Sequence, residues 1–304
     1  MNSSPPLRAL LAAPTWLLQR RLARLIYPAG TQPADFMQPP GEAALLPHDS
    51  VSWQVFANPV ALLVGGIAAV LLELAEPRVR TGVWENTTFR EFPLLRLQRT
   101  GYAAMMTAFG ARSRTEAMIR GINAGHARIA GQTPAGVPYR ANDLELLTWV
   151  HATATFGFLQ AYVDCVRPLS AQQCDAYYAE NQASARLYGV TSPPASRLDF
   201  EALLARMSPQ LEPSPIVLEF LAIMQAMPLL PGPLRAAQAL LIKAAIQALP
   251  ADIRERLGLA DACWRPTAWQ WRLVRALGRA ADHLPLPTLP AQLARRRLAL
   301  PAQH

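Results

Sequence analysis

Residues 58–75 read NPVALLVGGIAAVLLELA, and this stretch decides what kind of fold the chain adopts. Its one charge is Glu73, so a helix built from it is apolar on nearly every side. Such a helix belongs in a protein interior or in a bilayer. The apolar run is interrupted at Gly65-Gly66 and ends at Glu73, short of the about 20 residues that a bilayer crossing needs. The expectation is a helix at the centre of a soluble fold, with Pro59 near its start and Pro77 after its end. The two glycines permit close approach of a neighbouring helix or of a flat ligand, and close packing is the simpler expectation.

Working outward, residues 92–109 have helical periodicity and contain RLQRT (96–100). Leu94, Leu95, Tyr102, Met105, Met106 and Phe109 form a broad apolar arc. Arg96, Thr100, Ala103 and Thr107 form a narrow stripe opposite, with Arg99 at its edge. Periodicity alone turns that stripe to solvent. Ser113-x-x-Glu116 has the form of a capping box opening the next helix, and Gly131 is its expected stop. On that helix Ile119, Ile122, His126 and Ile129 share one face, which points the His126 imidazole inward. Asn142-x-x-Glu145 resembles another box, opening a helix from Asp143 to about Val166 on which His151 is a second inward histidine. Ser170 is expected to cap a helix running through Glu180 to Tyr188. More helices are expected at Asp199 to Met207, Pro215 to Met227 and Pro233 to Leu249. Alternating β-branched runs and Asn-Gly or Asp-Gly turns are missing.

The fold expected is all-α, a single globular multi-helix domain over 50–262. Before it stand an amphipathic helix (residues 7–26) and a Pro-rich loop, together 1–49. After it comes a basic Trp/Arg/Pro-rich tail, 263–304, with one amphipathic helix over Trp269 to Ala281.

Hydrophobic residues make up 51% of the 304 and charged residues 16%, against roughly 25% charged in an average domain, so apolar surface is in surplus for a ligand or a membrane face. The net charge is +8 and the pI about 10. The arginines concentrate at Arg8 to Arg24 and Arg265 to Arg297. No basic stripe with interleaved aromatics occurs, which argues against nucleic acid and for peripheral contact with an anionic membrane surface. Cys165, Cys174 and Cys263 form no CxxC or CxxCH pattern, which excludes a structural zinc site of that kind and c-type haem attachment. A cytoplasmic location is expected, and the N-terminus is not read as a signal peptide. HExxH, the Walker lysine loop, G-x-S-x-G and the paired E-x-x-H of di-iron bundles are all absent.

Two inward histidines remain. A hydrogen-bonded core histidine is the plain reading of either one. Together, in an apolar-rich helical chain, they also suit non-covalent haem in a pocket between helices, since one imidazole suffices to hold its iron.

From Phe56 to Leu259 the order of landmarks resembles the MpaB / latex-clearing-protein family of haem-dependent oxygenases. The landmarks are the Gly65-Gly66 helix followed by Pro77, Arg96-Leu-Gln-Arg99-Thr100, and His126-Ala-Arg-Ile-x-Gly131. Tyr139-x-Ala141-x-Asp143, Trp149-Val150-His151-Ala152, Tyr178-x-Glu180, Gly189-Val190 and Leu249-Pro250 leading to Arg254 and Leu257-Gly-Leu259 follow. The resemblance implies haem b with His126 as axial iron ligand and Arg96 and Thr100 near the haem, where Arg96 and Arg99 would bind a propionate or polarise bound oxygen and Thr100 would donate a hydrogen bond. It implies O2 as co-substrate and an apolar, unsaturated lipid or isoprenoid-like substrate. Arg99 stands where latex-clearing relatives place a distal lysine ligand. A guanidinium is a poor iron ligand, so the distal position is expected to be open or held by water or His151. Glu76 stands where many relatives have histidine, and the base glutamate of latex-clearing enzymes has no obvious match, with Glu73, Glu76 and Glu85 nearby. The competing readings are a non-catalytic haem- or lipid-binding protein and a membrane-surface module.

Overall fold

The computed structural model describes residues 26–230, 235–283 and 287–301, so the amphipathic helix expected over 7–26 lies almost wholly outside the described residues. The helices are α1 (Val51–Ala57), α2 (Pro59–Ala75), α3 (Pro77–Asn86), α4 (Pro93–Phe109), α5 (Arg112–His126), α6 (Leu144–Cys165), α7 (Ala171–Leu187), α8 (Arg197–Met207), α9 (Pro215–Ala226), α10 (Arg235–Ala248), α11 (Ala251–Arg256), α12 (Ala268–Asp282) and α13 (Pro290–Arg297). One short antiparallel hairpin, β1 (Ala130–Gln132) with β2 (Pro138–Arg140), interrupts them. The class is all-α.

The apolar stretch is the central helix. Ala61, Val64, Ile67, Ala68, Leu71, Leu72 and Ala75 of α2 are all buried. Its principal neighbour is α6, and the two backbones meet at a pair of glycines. A Cβ on Gly65 would lie 2.6 Å from Phe158 Cα, and one on Gly157 would lie 2.6 Å from Gly65 O. Gly66 faces elsewhere, with the Phe158 ring edge 3.8 Å from its missing Cβ position. One glycine therefore serves the helix crossing and its neighbour leaves open space. Trp149 Nε1 donates to Leu72 O at 3.3 Å across the same interface.

Polar groups fasten both ends of α2. Asn58 Oδ1 accepts from Val60 N and Ala61 N, each at 3.0 Å, capping the helix. Its Nδ2 donates to Gly278 O (2.9 Å) and Asp282 Oδ1 (2.7 Å), tying the same cap to α12. At the other end Glu76 is buried and accepts from Val79 N at 2.7 Å and Arg78 Nε at 2.6 Å. The residue that departs from the family's histidine is thus the cap of α3. Arg78 continues to Glu145 on α6 at 2.7 Å, so the second expected capping box is not formed and Glu145 serves an ion pair instead.

The first expected box is not formed either. Helix α5 begins at Arg112, and Ser113 donates through N and Oγ to Glu42, at 2.6 and 2.9 Å. A carboxylate from 71 residues away takes the place of the local Glu116. The helix also stops at His126, and Gly131 is part of β1. A Cβ there would lie 2.7 Å from the Tyr139 hydroxyl, so the glycine makes room for a buried ring on β2. Ser170 caps α7 with Gln173 closing a reciprocal box, as expected.

The segment after Cys263 is built into the body. Val274, Gly278 and Ala281 of α12 are buried against α6 and α2, with Gly278 packed on Cys165 O. Helix α13 packs on α4 and on the Pro33–Met37 turn. The Arg297 side chain, 5% exposed, donates to Phe36 O (2.6 Å), Phe109 O (2.8 Å) and Glu42 O (2.8 Å). Three carbonyls that leave their own helix or turn unpaired explain why this arginine leaves the surface. Among the described residues no single helix is long and apolar enough to cross a membrane. Helices α1 and α2 would pass that test together but are bent by 94°.

Candidate functional site

A cavity of about 380 Å³ runs along one face of α2, from Val60 to Leu74. That span corresponds to about 21 Å of helix. Gly66, Ile67 and Val70 of α2, Leu97, Gly101 and Ala104 of α4, and Phe158 of α6 form its middle. Phe89, Phe220 and Leu241 close one side, while Leu277 and Ala281 of α12 and Leu289–Ala291 close the other end. Its ionisable and hydroxyl groups among the described residues are Glu73, Arg96 and Thr100. These gather where α2 nears its C-terminus.

Arg96 and Thr100 are one turn apart on α4. Arg96 donates to Thr100 Oγ1 at 2.5 Å, and that hydroxyl donates to Arg96 O at 3.0 Å. The pair expected by periodicity to face solvent lines the cavity, with Arg96 half-buried and Thr100 exposed at its edge. The whole of α4 is amphipathic against a cavity as much as against a core, and no period in the sequence distinguishes an interior void from water. Burial lowers the Arg96 pKa first, Glu73 opposes that, and Arg99 adds to it. Arg99 is itself exposed and outside the cavity wall.

Of Glu73, Glu76 and Glu85, which sequence reasoning left as candidates, Glu73 is the one that lines the cavity. Burial pushes its carboxyl up to about 7, with the Arg96 charge only partly opposing. No hydrogen bond or ion pair holds it among the described residues. Its signal in the sequence was being the sole charge in an otherwise apolar helix. Glu76 caps α3, and Glu85 is exposed and outside the wall.

His126 ends α5, half-buried, and is not on the cavity wall itself. Its Nδ1 is buried with no hydrogen-bond partner. Burial, and then the charge of Arg96, lower its pKa, so the imidazole is neutral at pH 7. A neutral imidazole with no competing hydrogen bond is what an iron ligand requires, and haem brings four nitrogens of its own. The His126 imidazole therefore fits such a ligand, and Arg96, which lines the cavity, lies within electrostatic range of it.

His151 is differently placed. Ser184 Oγ lies 3.3 Å from its Nε2 and Thr155 Oγ1 3.4 Å from its Nδ1, and it does not line the cavity. Burial lowers its pKa to about 4, which keeps it neutral. The structure thus gathers Glu73, Arg96 and Thr100, sets His126 within electrostatic range, and leaves Arg99 and His151 apart.

A helical domain that encloses an elongated apolar cavity, with an acid, a guanidinium and a hydroxyl at one end, is suited to hold an apolar small molecule for reaction there. The chain belongs to the family described as ER-bound oxygenase mpaB/B'/rubber oxygenase, catalytic domain, whose model matches residues 53–283. It is accordingly an enzyme of the oxygenase type. The matched range contains Glu73, Arg96, Arg99, Thr100, His126 and His151. Neither the curated proteins nor the solved structures contain a match to this chain.

Proposed function

We propose that the protein is a haem b-dependent oxygenase that uses O2 on an apolar, unsaturated lipid or isoprenoid-like substrate. The observation that carries this reading is the His126 imidazole, neutral and with a buried Nδ1 that no protein group satisfies. Haem b held by His126 would supply the redox-active iron needed to activate O2, chemistry that side chains alone do not provide.

The chain's own groups would do the rest. Arg96 offers a cation for a haem carboxylate, and Thr100 Oγ1 fixes the guanidinium from the next turn. Glu73, with a pKa of about 7, can take a proton from substrate or return one at its carboxyl near neutral pH. The remainder of the wall is apolar, which orients a hydrocarbon along α2 and excludes water from it. Arg99, exposed and outside the wall, is assigned no ligand role, and His151 is assigned to packing between α6 and α7.

The test is an absorption spectrum of protein produced with haem supply, followed by O2 uptake with isoprenoid and unsaturated acyl alkenes. Wild type should show a Soret band that His126→Ala loses and His151→Ala keeps. Glu73→Gln should keep the band and lose turnover. A wild-type protein without the band, or a His126→Ala variant with an unchanged one, would refute the reading.

A further inference from the structure

The far end of the cavity is closed by Leu289–Ala291 and by one helix, α12. Its inner face carries Val274, Gly278, Leu277 and Ala281, the last two lining the cavity. Its outer face carries Trp269 and Leu273, one turn apart, 61% and 39% exposed. Together the two side chains form a small exposed apolar patch. The surroundings are cationic. Arg265, Arg272, Arg275 and Arg279 are exposed on or just before this helix, and none is in an ion pair among the described residues.

Three of the four are pinned by their Nε to backbone carbonyls. Arg265 donates to Ala260 O (3.0 Å), Arg275 to Asp164 O (3.1 Å) and Arg279 to Val166 O (3.3 Å), which fixes their stems; Arg275 also lies over the Trp271 ring at 5.5 Å and faces the Asp164 carboxyl, so Arg265, Arg272 and Arg279 supply most of the positive charge of this face. The acidic residue of α12 is Asp282, at its far end and bound to Asn58. The helix is also firmly seated, since Gly278 rests on Cys165 O. A rigid helix with tryptophan, leucine and arginine outward matches the composition that binds an anionic bilayer interface.

We propose that α12 lays its Trp269/Leu273 face on an anionic phospholipid surface and thereby holds the far end of the cavity against the lipid. The net charge of +8 draws the protein to such a surface, and the two apolar side chains enter the headgroup boundary. Leu277 and Ala281 then stand about one helix diameter, roughly 10 Å, from the membrane. A substrate too apolar for water resides in that membrane, so docking here shortens its route to the cavity. The surface argument stands apart from the haem reading, which an absorption spectrum tests separately.

Flotation of the full chain with phosphatidylcholine vesicles, with and without phosphatidylglycerol, tests it. Binding should require the anionic lipid and weaken as salt rises. Trp269→Ser with Leu273→Ser should lower the partition coefficient roughly tenfold, and Arg272→Gln should lower it about fivefold. Because these side chains are exposed, the variants should fold as wild type. Leu198→Ser with Leu218→Ser, exposed elsewhere, should bind as wild type. Three results would overturn the proposal: no binding, binding unchanged in the α12 double variant, or self-association without lipid that this variant abolishes.

Discussion

Replacing Glu73 by glutamine should make the protein more stable above neutral pH and change little at low pH. The carboxyl lies on an apolar cavity wall, where burial raises it from 4.5 to about 7. Between those two values the folded chain holds a proton that the unfolded chain has released, so folding is favoured at the acid end. The contribution is complete below pH 4.5 and is lost as the pH rises through about 7. The gap corresponds to ~3 kcal/mol, the cost of a carboxylate that Arg96 only partly compensates. Glutamine keeps the shape without the titration. Urea denaturation of the haem-free wild type and variant, followed by circular dichroism between pH 5 and 8.5, reads the difference directly. The two should lie close at the acid end and diverge by ~3 kcal/mol at the alkaline end, with the variant more stable. Every other carboxylate is common to both proteins and cancels. Parallel profiles across the range would show that Glu73 ionises as it does in water and would remove its assigned role as a proton-exchanging group.

Gly65→Ala places a methyl 2.6 Å from the Phe158 backbone, where nothing flexible can yield, and should cost roughly 3 kcal/mol. Gly66→Ala, with the Phe158 ring edge 3.8 Å away, should cost far less, and thermal denaturation of the pair checks the contrast. Arg297→Met strands two buried carbonyls and a partly buried one and should cost about 3–5 kcal/mol. Its effect should appear in hydrogen exchange as faster exchange across α13 and the Pro33–Met37 turn, and unchanged protection there would contradict the latch. Thr100→Val should leave stability nearly unchanged, because the hydroxyl faces the cavity, while lowering O2 uptake through a less constrained Arg96.

The helical architecture was legible because its signals are local. Pro59, Pro77 and Ser170 act on their own first turns, and the apolar run of 58–75 has nowhere to go but inward. Local signals also misled where a distant group outcompeted them. Ser113-x-x-Glu116 reads as a self-contained cap, yet Glu42 reaches it first, and Arg78 draws Glu145 out of the second box. The hairpin around Tyr139 escaped notice because its three-residue strands are too short for alternation to register.

At the site the division is similar. The positions of His126, Arg96 and Thr100 stood out in the sequence through the family resemblance, whereas the placement of Arg96 and Thr100 on the cavity wall did not follow from any period. Periodicity sorts a helix into faces that meet packed neighbours and faces that do not. It treats a cavity and bulk water alike, which is why Arg96 and Thr100 read as solvent-facing although both line the cavity. By itself, then, the sequence determined the all-α class and the central helix, since propensity and capping are properties of neighbouring residues. Only the tertiary structure decided that Glu73 and Arg96 share one cavity wall and that α12 helps to close the cavity's far end, because burial and electrostatics depend on which helix lies opposite.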